Sequence, residues 1–207
     1  MRVLVTGAAS GIGRAAAARL EQDGARVLSV DLDPGADSPG EPFGADLTTR
    51  DGNRTAVAAA VERFGGLDVV VANAGLQHVA PVRDFGEDEW DRLIALLLTS
   101  PFLLAKYAWQ ALAEAEEGRF IGVASVHGLV ASPFKAAYVA AKHGLVGLVK
   151  TLALEGPTRG SSPRRSVRRS CARRWWRSSS PTRPRRKGCP RSACWRRWCL
   201  HSTRSSA

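Results

Sequence analysis

The sequence predicts an α/β fold built on a doubly wound parallel sheet, three layers deep with helices on both faces. Three observations carry that prediction. Short apolar runs alternate with helical stretches along the first 155 residues, the pattern of repeated strand–helix units. The first run opens into a glycine-rich turn, Thr6-Gly7-Ala8-Ala9-Ser10-Gly11-Ile12-Gly13, and the second closes on Asp31. Asp46, Asn73, Gly75 and Ser125 all fall where later runs end. In open parallel sheets, ligands gather at those carboxyl ends.

Taken in order, Val3-Leu4-Val5 is a short buried-strand run, and the Ala-rich helix after the glycine turn reaches about Asp23 and stops at Gly24. Ala25 to Val30 forms a second strand, and Gly44-Ala45-Asp46-Leu47 closes a third. Arg50 to Phe64 reads as a helix, and Leu67 to Val71 as a fourth strand leading into Asn73-Ala74-Gly75. Asp88 to about Glu114 reads as one long helix, Phe120 to Ser125 as a fifth strand, and Tyr138 to Glu155 as a further helix. No run of about 18 apolar residues stands out, so no membrane span is expected. Met1 leads straight into a strand, so no export signal is expected either, and the cytoplasm is the expected compartment.

The first strand, glycine turn, helix and second strand make a unit of about 30 residues. Gly7, Gly11 and Gly13, with Ser10 and Ile12 between them, let the backbone approach a pyrophosphate. The free N–H groups and dipole of a helix N-terminus favour that anion. Asp31 can accept both hydroxyls of an adenosine ribose and repels a 2′-phosphate, which favours NAD over NADP. The plain alternative for Asp31 is a solvated strand-end carboxylate.

Tyr138 and Lys142 lie four residues apart and share a helix face. Phenols ionise near pH 10 and are poor bases at neutrality, but a nearby ammonium and a cationic nicotinamide ring favour the phenolate. Ser125, thirteen residues earlier, can hydrogen-bond the reacting oxygen. A bare Tyr-x-x-x-Lys is a common surface pair. Here it follows a glycine turn, a strand-end Asp, Asn-Ala-Gly and a strand-end Ser, in that order.

That ordered set resembles the short-chain dehydrogenase/reductase family, with its Rossmann-like fold, over nearly all of residues 1–158. The resemblance implies that Ser125, Tyr138 and Lys142 are catalytic. It also implies that Asp46 and Leu47 meet the adenine, and that Asn73, Ala74 and Gly75 shape the NAD pocket. Ala124-Ser125-Val126-His127-Gly128-Leu129-Val130-Ala131-Ser132-Pro133-Phe134-Lys135 and Ala74-Gly75-Leu76-Gln77-His78-Val79-Ala80-Pro81 resemble the D-3-hydroxybutyrate dehydrogenase subfamily. By that resemblance Gln77, His127 and Lys135 clamp the carboxylate of a small 3-hydroxy acid, and Lys135 supplies the charge the clamp needs. Ordinary loop polarity is the plain alternative for Gln77 and His127. The family forms homo-oligomers, commonly tetramers, one of whose interfaces uses the last strand. The chain departs from the family at Leu97, where an Asn supports a proton relay from the catalytic Lys to solvent. A leucine side chain neither donates nor accepts, so turnover should fall while cofactor binding is kept.

Composition breaks near Gly160. Residues 1–155 hold 14 basic and 19 acidic residues, a net charge of −5, whereas the remainder holds 16 basic residues and no acid. All four cysteines, Cys171, Cys189, Cys194 and Cys199, lie in this tail at spacings without a Cys-x-x-Cys, so no metal site is expected. The tail has no apolar periodicity, and its charge predicts disorder. A shift of one nucleotide explains it. Cys171 to Ser179 is compatible with Val-Arg-Thr-Pro-Leu-Val-Glu-Lys-Gln in the displaced frame, and Cys194 to Cys199 with Leu-Glu-Glu-Val-Val. The first resembles the family segment whose Thr binds the nicotinamide carboxamide. The expected division is therefore an incomplete NAD-binding domain at 1–158, lacking its last strands, and an out-of-frame basic tail at 159–207. Such a chain is expected to be impaired or inactive.

Two further readings stay open. The substrate is another small molecule, such as a sugar or secondary alcohol. Or the Arg/Trp tail is a genuine fusion that binds nucleic acid through phosphate neutralisation and stacking. The displaced-frame reading expects no specific nucleic-acid partner.

Overall fold

The computed structural model describes residues 1–156. The expectations placed on the tail, and the boundary at 158, lie outside the described residues. Within them, five parallel strands run in the order β3-β2-β1-β4-β5. They are β1 (Arg2–Thr6), β2 (Arg26–Asp31), β3 (Glu41–Gly44), β4 (Val69–Ala72) and β5 (Arg119–Gly122). The helices are α1 (Gly11–Gln22), α2 (Arg50–Phe64), α3 (Glu87–Ile94), α4 (Ser100–Glu114) and α5 (Ala136–Glu155).

Strand pleating divides the core. Val3, Val5, Val27, Val69 and Val71 point to one face and pack with Ala8, Ala17 and Ala25, beneath α1. Leu4, Leu28, Val30, Val70 and Ala72 point to the other and meet Ala56, Val57, Ala60 and Phe64 of α2 and Leu104 and Ala108 of α4. Strands buried on both faces are apolar at every position, and β4 is Val69-Val70-Val71-Ala72. The crossovers start and stop on local chemistry. The Thr49 hydroxyl accepts the Gly52 N–H at 3.0 Å to begin α2, and Gly65, at φ +70°, ends it in the left-handed conformation.

Three boundaries differ from the expectation. The third strand ends at Gly44, because the Asp46 carboxylate turns the chain by accepting the Thr48 N–H and hydroxyl. The fifth strand ends at Gly122, which leaves Ser125 beyond the sheet as the cap of a single-turn helix, Val126–Gly128. The long helix expected from Asp88 to Glu114 is interrupted by a π turn at Ala95–Thr99. Pro101 has no N–H to offer the Leu97 carbonyl one α-turn back, and the helix widens just before it.

The stretch Glu87–Glu114 holds no unbroken run of 18 apolar residues, yet by length and mean hydropathy it is long and apolar enough to cross a membrane. Its apolarity is that of a core helix. Leu93, Leu97, Leu103, Leu104 and Ala108 are buried, α4 lies against α2, and the π turn lies against α5.

Candidate active site

The sheet order reverses between β1 and β4, and the carboxyl ends of these strands are tied together. Thr6 Oγ1, buried at the end of β1, accepts the backbone N–H groups of Asn73 and Ala74, each at 3.0 Å. The Asn73 amide donates back to the Thr6 carbonyl at 3.0 Å and to the Gly7 carbonyl at 3.3 Å. This clasp holds the glycine turn against β4. Gly7 has φ +67°, and a Cβ on it would lie 2.8 Å from Ala74 Cα, so both conformation and space require glycine.

The turn suits a dinucleotide. Ser10 caps α1 without a side-chain hydrogen bond, and Ser10, Gly11 and Ile12 are exposed. A Cβ placed on Gly11 would meet nothing within 4 Å. A helix start with no capping side chain and open space above it accommodates an anion. Asp31 stands beside this turn, its carboxylate accepting the Ala9 N–H at 3.0 Å and its own neighbour Leu32 N–H at 2.8 Å. Asp46 is exposed beyond β3. The Thr48 hydroxyl, then the Thr48 N–H, hold its carboxyl below the usual carboxylate range, with burial opposing and Arg92 assisting. Leu47 faces inward, fully within the core.

Ser125, His127, Tyr138 and Lys142 come together past β5. Lys142 is buried, and its Nζ donates to the Val123 carbonyl at 2.7 Å while standing 5.7 Å from the Tyr138 ring centroid. Burial pulls the Lys142 ammonium below its ordinary value. His127 meets Tyr138 edge to face, ring centroids 5.8 Å apart. His127 Nδ1 lies 3.4 Å from Ser125 Oγ, and Nε2 lies 2.9 Å from Ser132 Oγ.

Gln77 is exposed on the loop after β4, and Lys135, half-buried, precedes α5. Their loops are joined where the Ala80 N–H donates to the Phe134 carbonyl at 3.0 Å. Phe134 takes φ +65°, a left-handed conformation that non-glycine residues adopt at a cost of about 1 kcal/mol. On the loop after β4, His78 and Phe85 meet edge to face, and Phe85 meets Trp90 of α3 in the same way, holding that loop against α3. Leu97 is packed with Leu93, Ala137 and Ala141 directly behind Tyr138.

Sequence reasoning missed Thr6, the Val123 carbonyl and Ser132. For Thr6 a signal existed, since a hydroxyl residue closes an otherwise apolar buried strand. For the other two no local pattern marks the partner.

The short chain dehydrogenase family profile matches residues 1–161. The chain belongs to the short-chain dehydrogenase family. Two curated relatives are D-beta-hydroxybutyrate dehydrogenases. That of Rhizobium meliloti is 42% identical over 165 residues, covering 73% of this chain and 64% of the relative. That of Cupriavidus necator is 41% identical over 163 residues, covering 73% and 63%. This short-chain dehydrogenase thus spans somewhat less than two thirds of the length of either. Among solved structures, the ligand-free aldohexose dehydrogenase of Thermoplasma acidophilum superposes with a TM-score of 0.71 at 29% identity, covering 74% of this chain and 60% of that one.

Proposed function

We propose that this chain derives from an NAD-dependent dehydrogenase that interconverts 3-hydroxybutyrate and acetoacetate, with residues 1–158 as its nucleotide-binding unit. The observation that carries the reading is the placement of Lys142, buried, anchored on the Val123 carbonyl and set against the Tyr138 ring. Lys142 so placed stands beside the phenol that acid/base chemistry on a substrate hydroxyl would use. The likeness to two D-beta-hydroxybutyrate dehydrogenases supports the substrate class.

The glycine turn, Asp31, Asp46, Asn73 and Lys142 are the residues that would hold NAD. When bound, it supplies the acceptor for the hydride removed from the substrate carbon. Tyr138 takes the hydroxyl proton in oxidation and returns it in reduction. Ser125 holds the reacting oxygen. Lys135 and Gln77, on loops joined by the Ala80–Phe134 hydrogen bond, hold the carboxylate. His127 has both ring nitrogens on serine hydroxyls, so a share in that clamp requires breaking the Ser132 contact. The Asp31 carboxylate beside the turn supports NAD over NADP. Residues 159–207 are read as the displaced frame of the same enzyme, with the Leu97 and tail changes lowering activity.

The test uses the chain as it stands and a version whose C-terminus is restored to the displaced frame. Acetoacetate reduction by NADH is expected in the restored chain. Tyr138→Phe should abolish turnover there while NAD binding by calorimetry is unchanged. Turnover of an aldohexose or a simple secondary alcohol without turnover of acetoacetate would overturn the substrate assignment. Sequencing of the coding DNA around codons 156–162 decides the frame.

A further inference from the structure

α2 begins hard against the loop that carries Asp46 and Leu47. A Cβ on Gly52 would strike the Asp46 carbonyl oxygen, and the Thr49 hydroxyl donates to that same carbonyl at 2.8 Å. One turn into the helix stands Asn53, fully buried. Its side-chain nitrogen donates to the Leu47 carbonyl at 2.8 Å and to the Thr49 carbonyl at 2.6 Å. Its oxygen accepts the Ser100 hydroxyl at 2.7 Å. Two carbonyls on one side and a hydroxyl on the other fix which way the amide faces. Ser100, also buried, opens α4 immediately after the π turn.

Helix capping does not account for Asn53. Thr49 already caps α2 through Gly52, and a buried amide costs free energy unless its partners are supplied. Leu47 lies two residues ahead of that cap, where no helical N–H returns to its carbonyl, and the Asn53 amide holds it instead. The peptide that joins Leu47 to Thr48 is planar, so fixing its carbonyl fixes its N–H. That N–H donates to Asp46 Oδ1 at 2.9 Å, and the Thr48 hydroxyl donates to the same oxygen at 2.7 Å. Asn53 thus sets the direction of an exposed carboxylate from inside the core, through one peptide plane. Among the described residues both donors fall on Oδ1, which leaves Oδ2 to accept a donor from a base.

We propose that Asn53 is a positioning residue for base recognition, holding the Leu47–Thr48 peptide so that Asp46 accepts the exocyclic amine of adenine. The inference rests on the reading that the chain binds NAD with Asp46 at its adenine. The amine of adenine donates, whereas the carbonyl that replaces it in hypoxanthine cannot, so a carboxylate held at that edge prefers adenine. An amide that served the fold alone would change affinity for the two bases alike.

The test is fluorescence titration of the full chain with NADH and with its hypoxanthine analogue, beside the urea midpoint of each variant. The parent chain should bind NADH about tenfold more tightly than the analogue, the worth of one hydrogen bond to a carboxylate. Asn53→Leu, close in volume and without a donor, should bring the two affinities to within about twofold. Ser100→Ala strands the amide oxygen but spares both carbonyl contacts, so it should lower the urea midpoint and keep the preference for adenine. If Asn53→Leu does not fold, Asn53→Thr takes its place. The threonine hydroxyl can return to the Thr49 carbonyl, as that of Thr55 does to Asp51, but is too short for Leu47, so the preference should fall in the same way. A preference kept in the Asn53 variant, or lost equally in Ser100→Ala, overturns the inference and leaves the NAD reading standing. Equal binding of the two dinucleotides by the parent chain overturns the place of Asp46 at the adenine, and the inference with it. Binding of neither overturns the NAD reading as well.

Discussion

A Cβ on Gly75 would lie 2.9 Å from Leu97 Cδ2, so the loop after β4 lies directly against the Leu97 side chain of the π turn. Leu97 is fully buried among Leu93, Ala137 and Ala141. Leu97→Asn puts an amide in that apolar cluster and removes well-packed methyls. It should lower stability by about 3 kcal/mol in urea unfolding. The same substitution should raise turnover in the chain with a restored C-terminus. Unchanged turnover there would mean that Leu97 is not what limits the reaction.

Thr6→Val keeps the shape of a buried strand end and removes the acceptor of two backbone N–H groups, those of Asn73 and Ala74. Two orphaned donors should cost about 2–4 kcal/mol. The glycine turn is held through the same clasp, so NAD affinity, read by calorimetry, should fall as well. Thr6→Ser keeps the acceptor and should lose far less of both.

Asp31→Ser removes the carboxylate beside the glycine turn but leaves a short acceptor for the Ala9 N–H. The ratio of NAD to NADP affinity should drop at least about tenfold, since repulsion of a 2′-phosphate disappears with the charge. Fluorescence titration with the two reduced cofactors checks it. An unchanged ratio would reduce Asp31 to a solvated turn residue.

Arg2 and Asp68 join the start of β1 to the start of β4. The guanidinium donates to both carboxylate oxygens, at 2.6 Å and 3.2 Å, and the Arg2 backbone N–H adds a third contact at 2.8 Å. The Arg2 side chain, more than burial opposes it, holds the Asp68 carboxyl below the usual carboxylate range. A carboxyl lowered by folding adds stability that is present above its unfolded value and is lost as pH falls through its folded one. Asp68→Asn should therefore cost about 1 kcal/mol at pH 7, and the gap to the parent chain should narrow below about pH 4. Urea midpoints at the two pH values give the comparison.

Order and type of the elements were legible in the residues alone, because they rest on neighbours in the chain. Thr49 and Gly65 bound α2 at the expected ends, the glycine turn follows β1, and the helical period sets Tyr138 and Lys142 on one face. The π turn was not legible. It depends on Pro101 acting on Leu97, four residues back, inside a stretch whose composition reads as unbroken helix. Nor was the site's wiring. Thr6 meets Asn73 across 67 positions, and Lys142 finds the carbonyl of Val123, 19 positions away. The local run of residues fixes what each segment becomes. Which donor meets which acceptor depends on β1 lying beside β4 and α5 lying along β5, and only close packing around a five-stranded sheet sets that arrangement.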